Sequence, residues 1–258
     1  MITSLIGRMV MNKNLKKVLE EYQNRTAKEC YEIKVIPDEE PGILDDKLGG
    51  TPYFPENQTY PVDSEGNPME LILQVDLENI DLDIFPNKGI LSVFTNGLNY
   101  PAQYKIFCFE KGLPQKKDLP RPVIEYPVIG KPLKIKLEKT VAHMPPSDYR
   151  SSVLFGTLIR SMGMQPINNI FELQDKEYND FTSELSIPRA CIGGYADFTQ
   201  SDPREYGDND KDECLFKLDS GLGHDIDIGD SGIMWALITQ NDLTAGNFDK
   251  AELDWDCC

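Results

Sequence analysis

Tyr195, Gln200, Asp202 and Arg204 fall on one short stretch that leaves a Gly193-Gly194 pair and carries further aromatics. An Arg fork beside planar rings suits a carboxylate, a phosphate or a peptide group, because its donors are fixed in one plane. With Asp230 these residues form the candidate ligand-binding set. The plainer alternative is an ion pair from Arg204 to an Asp that pins the loop. Asp225, Asp227 and Asp230 are the candidate metal ligands. Ile226 and Ile228 between them leave carboxylates on one side of an extended chain, where they could hold a hard divalent cation. A solvated acidic face is the alternative. Asp208-Asn-Asp210-Lys-Asp212 has the odd-position spacing of a calcium loop, yet Glu213 stands where its Gly should turn the chain and Asp219 where its Glu should close it.

Gly229-Asp-Ser-Gly232 carries the letters that surround a chymotrypsin-type nucleophile, and His143 would be its base. The interval between them is too short for that layout, and no barrel-like segment precedes His143, so the four residues read as a tight turn. No phosphate-cradling Gly loop, dinucleotide fingerprint or metalloprotease helix is present. With two histidines, acid-base chemistry would rest on carboxylates or Tyr, and no catalytic residue is assigned.

The 258 residues carry 43 Asp and Glu against 26 Lys and Arg, a formal charge of −17. Nucleic acid and anionic lipid both demand a basic footprint, so neither is an expected partner. No apolar run reaches the roughly 20 residues that span a bilayer. No signal-peptide pattern opens the chain, the six cysteines show no zinc spacing, and a cytoplasmic protein with reduced thiols is expected. Met11 starts a cleaner reading frame and is the expected natural start.

Leu15, Val18, Leu19 and Tyr22 recur at helical spacing, which predicts an N-terminal helix within residues 1–28. Residues 29–258 form the main domain, with a possible boundary near 145. Two blocks in it match in order. Gly49-Gly50, Gln74 in Leu71–Asp76 and Gly89 before Ile90–Phe94 answer to Gly193-Gly194, Lys217 in Cys214–Asp219 and Gly232 before Ile233–Leu237, with intervals that differ by a single residue. The apolar runs have strand length. The expectation is a β-rich α+β fold in which a β-loop-β unit is duplicated, at about 40–100 and 185–245, into two pseudo-symmetric halves. Further strands are predicted at Tyr104–Phe109 and around Leu133–Leu137. Ser147 or Asp148 should cap a helix to about Ser161, and Lys176–Leu185 should form another, a small helical insertion.

Leu48-Gly-Gly-Thr-Pro-Tyr-Phe-Pro55, Leu73-Gln-Val-Asp-Leu77, Gly89–Phe94, Ile192–Arg204, Ile228–Gly232 and Asp254-Trp-Asp-Cys257 together resemble the bacterial YwqG-like family of unknown function. The resemblance implies a β-rich duplicated fold in a bacterial cytosolic protein, and no cofactor or catalytic set. Proteins similar to some relatives are encoded beside toxins, which implies immunity-type partner binding. Residues 145–180 depart from the family pattern. The leading expectation is a non-catalytic module for a protein partner, with a basic target fitting its charge, or for a small ligand. The alternative is an enzyme that uses carboxylates and Arg204 near the second Gly-Gly turn, with or without a divalent cation.

Overall fold

The computed structural model describes residues 12–99, 101–164, 167–206 and 210–258. Met11 and the residues before it lie outside them, as do Asp208 and Asn209 of the calcium-like spacing. Helix α1 (Lys13–Thr26) forms where the spacing places it, with the Asn12 side chain accepting the Asn14 N–H at its start. It buries Leu15, Val18, Leu19 and Tyr22. Helix α2 (Tyr149–Ser161) is capped by Asp148, and α3 spans Asp175–Thr182. These three helices bury one apolar cluster, in which the Tyr22 ring meets Phe181 edge-on at 5.6 Å. A fourth helix, α4 (Gln240–Ala245), closes the count among the described residues.

Among the described residues ten strands make a single antiparallel, nearly closed sheet. They are β1 (Lys28–Val35), β2 (Lys47–Leu48), β3 (Glu70–Asp76), β4 (Ile90–Thr95), β5 (Tyr104–Phe109), β6 (Leu133–Ala142), β7 (Cys191–Gly193), β8 (Glu213–Asp219), β9 (Ile233–Ile238) and β10 (Glu252–Asp256). Their spatial order is β10-β9-β8-β7-β1-β6-β2-β3-β4-β5. The long pair β1–β6 therefore stands at the centre. A four-strand meander runs outward on each side, and β5 approaches residues Phe248–Lys250, which lead into β10.

The interior is one apolar core to which all ten strands contribute, with Ile72, Val93 and Ile106 from one side and Leu215, Phe216 and Met234 from the other. Strand alternation sorts the remainder: on β9, Met234, Ala236 and Ile238 face this core, while Ile233, Trp235 and Leu237 pack outside it. The same holds on β4, with Leu91 and Val93 inside and Ile90 and Phe94 outside. Because loops cover the outer faces, these strands are apolar throughout instead of alternating. Bulges occur between Leu71 and Leu73 in β3 and between Cys214 and Phe216 in β8. Each turns the next polar side chain outward: Gln74 accepts the Tyr53 N–H at 2.7 Å, and Lys217 reaches toward Asp197 at 3.9 Å.

Candidate functional site

Strand β7 ends at Gly193, and Gly194 follows it; their φ values of 73° and 71° reverse the chain in a way that side chains resist. The loop that follows lies across the outer face of β8 and β9. Phe198 anchors it, meeting Trp235 edge-on at 4.8 Å. Farther along, Thr199 and Gln200 donate their N–H groups to the Asp256 carboxylate on β10, and Gln200 Nε2 donates to the Cys257 carbonyl at 2.9 Å. The loop closes in a short turn, Pro203–Tyr206, in which Arg204 is buried while Glu205 and Tyr206 face solvent.

Arg204 is held on all sides. Its Nε and Nη2 donate to the two Asp202 oxygens at 2.9 and 2.6 Å, and Nη2 also donates to Asp148 at 2.9 Å. Its guanidinium lies 5.3 Å from the Tyr149 ring and 5.6 Å from Phe198. The side chains of Arg204, Asp202 and Asp148 are at most 1% exposed. Arg150 completes the group, with Nε and Nη2 on Asp148 at 2.8 and 2.7 Å. Burial works to raise the Asp148 carboxyl, but the Arg150 hydrogen bonds and the charges of Arg204 and Arg150 outweigh it and hold the group below the ordinary carboxylate range. The cluster ties the start of α2 to the loop, since Asp202 also accepts the Tyr149 N–H at 3.1 Å. Tyr195 stands beside it, 5.8 Å from Arg150 and 5.4 Å from Lys28, and burial pushes its hydroxyl up to about 12.

Between this loop and the helical layer opens a cleft of about 690 Å3. Gln200 and Asp202 line it, together with Tyr149, Phe171, Asp197 and Glu205. Asp197 accepts hydrogen bonds from Ser147 Oγ and the Phe198 N–H, so Glu205 is the acid of the wall left to solvent. Val153 and Phe171 on the wall are 70% and 59% exposed, and Tyr206 beside it is 83% exposed.

The family described as Domain of unknown function (DUF1963) matches residues 46–257, a span that holds every strand but β1 and every element of this site. The chain belongs to that family. No curated protein matches it.

The DUF1963 region also contains the acidic candidates, and the structure disperses them. Asp225 is 3.7 Å from Lys131, Asp227 accepts the Gly229 N–H at 2.9 Å, and exposed Asp230 receives the Ser231 hydroxyl and, on its carbonyl, the Cys258 N–H. Ile226 and Ile228 are buried between outward-facing acids, so the alternation forms as spaced. Among the described residues no group of three or more His, Cys, Asp or Glu side chains converges on a point that could hold a metal ion. The candidate set thus divides: Asp202 and Arg204 meet directly, Tyr195 lies alongside their cluster, and Gln200 and Asp230 each bind the C-terminal tail.

Residues 229–232 form the turn into β9, with Ser231 itself at φ 54°. A Cβ on Gly232 would fall 1.8 Å from the Ile228 carbonyl oxygen and 2.7 Å from that of Asp256, both backbone atoms. Gly232→Ala should therefore cost at least ~2 kcal/mol and lower the melting temperature by about 4–8 °C, read by calorimetry. An unchanged melting temperature would contradict this account of the turn.

Sequence reasoning gave Asp148 only the role of a helix cap and passed over Arg150 and Phe171. Asp148 meets Arg204, and Phe171 reaches the cleft, only through folding, which distance along the chain hides.

Proposed function

We propose that this protein is a non-catalytic binding module that docks a partner at the cleft between α2 and the second Gly-Gly loop. The observation that carries this reading is the exposed Val153, Phe171 and Tyr206 beside Glu205, a grouping of apolar surface with an acid at its edge. The charge of −17 favours a basic target. The buried Arg204 cluster serves as the rigid base of the cleft: Nε and Nη2 are taken by Asp202 and Asp148, and Nη1 lies 3.7 Å from Asp212, so the guanidinium is committed to the protein's own carboxylates.

We further read the chain as a YwqG-like member acting in a bacterial cytoplasm, with two halves descended from one unit. Support for common descent comes from the mirrored strand order about β1–β6, the paired bulges and the paired Gly-Gly turns. Superposition of 47–109 on 191–256 tests it, and divergent paths would end it.

Docking is tested by affinity capture from lysate of the source cells with wild type and the double variant F171D/E205K. Wild type should retain a stoichiometric basic protein whose association weakens with salt, and the variant should lose it. Retention by both, or by neither, counts against the proposal.

A further inference from the structure

A second cleft, of about 820 Å3, lies on the first half of the sheet, beside the Gly49-Gly50 turn and far in sequence from the site above. Glu70 and Leu71 of β3 line it together with Tyr60, and the segment 115–124 supplies Lys116, Lys117, Leu119, Arg121 and Ile124. Its charge runs opposite to that of the whole chain. Three cations and a single acid line a pocket in a protein of net charge −17.

The cations are differently engaged. Lys116 Nζ donates to the Gln58 carbonyl at 2.8 Å, whereas exposed Lys117 and Arg121 join no ion pair among the described residues. Glu70 is 9% exposed and uses one oxygen, Oε1, to accept the Val128 N–H at 2.8 Å. Burial pushes its carboxyl up to about 7, so near neutral pH it can offer a proton to an acceptor in the cleft. Tyr60 lies within reach of Glu70, and burial and then the Glu70 charge push its hydroxyl up to about 12; the three cations share the cleft lining, and no second acid lines it among the described residues. The remaining walls mix apolar side chains (Leu71, Leu119, Ile124, Ile129 and several prolines) with polar Thr51 and Gln115.

We propose that this cleft binds a small organic anion with an apolar body, its acid group met by Lys117 and Arg121 and its body laid on Tyr60, Leu71 and Ile124. Protonated Glu70 donates a hydrogen bond to the same acid group or to a neighbouring acceptor. Ionised Glu70 repels it. Affinity therefore rises as pH falls through the Glu70 transition, because binding the anion favours the neutral carboxyl. The site is separate from the docking cleft, and neither proposal depends on the other.

The test uses 8-anilinonaphthalene-1-sulfonate on the full chain, with the uncharged N-phenyl-1-naphthylamine as its counterpart and octanoate as competitor. The sulfonate should bind saturably, be displaced by octanoate and bind about tenfold more tightly at pH 6 than at pH 8. The uncharged counterpart should bind more weakly. K117A/R121A should weaken sulfonate binding by about tenfold or more, since two exposed charges are removed with no packing lost. E70Q should keep binding and lose the pH dependence. Equal affinity for the charged and uncharged probes, no effect of K117A/R121A, loss of binding in F171D at the other cleft, or no saturable binding would each overturn the proposal.

Discussion

Arg204→Met should lower the unfolding free energy by about 3–5 kcal/mol, the usual cost of removing one partner from a buried ionic cluster. Methionine fills similar space, so the loss is electrostatic. Asp202 keeps the N–H groups of Tyr149 and residue 204, but no longer has a cation 2.6 Å away, and Asp148 keeps only Arg150. The double variant D202N/R204M should recover part of the deficit, because an amide is far cheaper to bury than an unpaired carboxylate. Urea unfolding measures both. A double variant no better than the single one would mean that packing, not charge, holds the loop. The wild-type cluster should also resist acid. Asp148 has a depressed carboxyl, so its contribution is fully present above the unfolded value of about 3.9 and is lost only as pH falls through the lower folded value. Arg204→Met shrinks that window by removing one of the charges that maintain it.

Glu70→Gln should stabilise the protein at pH 8 by up to about 3 kcal/mol and change little at pH 4. The wild-type carboxyl is raised from 4.5 to about 7 by burial, so across that interval the folded chain binds more protons than the unfolded one. Stability from this group falls as pH rises through the interval and stays lower beyond it. Glutamine retains an oxygen for the Val128 N–H and carries no charge, which removes the penalty. Denaturation curves at several pH values give the difference directly. A constant gap between wild type and variant would show that Glu70 is not held near 7.

What could be read before folding was whatever is local. The spacing of Leu15, Val18, Leu19 and Tyr22 fixes α1, and the apolar runs at 71–76, 90–94, 214–219 and 233–237 lie in strands. The strand β1 escaped, because Lys28-Glu-Cys-Tyr-Glu-Ile-Lys-Val mixes charge with buried Cys30 and Ile33 and gives no uninterrupted run. Strand β10 escaped similarly, since Glu252-Leu-Asp-Trp-Asp256 carries three acids. Arg204 is instructive at the level of the site. An ion pair two residues away was foreseeable, but Asp148, a further 54 positions upstream of Asp202, enters only because α2 packs against the loop. Glu70 went unremarked as well: an acid at the head of an apolar strand looks like a surface residue until the segment 115–132 covers it.

The placement of β6 governs the order in which the chain can assemble on the ribosome. It sits between β1 and β2, though it is synthesised after β5. Strands β3, β4 and β5 can zip together as soon as they emerge, each with its sequence neighbour. The long β1 has to wait with both edges bare until residues 133–142 leave the exit tunnel on one side and 191–193 on the other. Pairing across such sequence separations is intrinsically slow, and until it happens both edges of β1 stay open to mispairing.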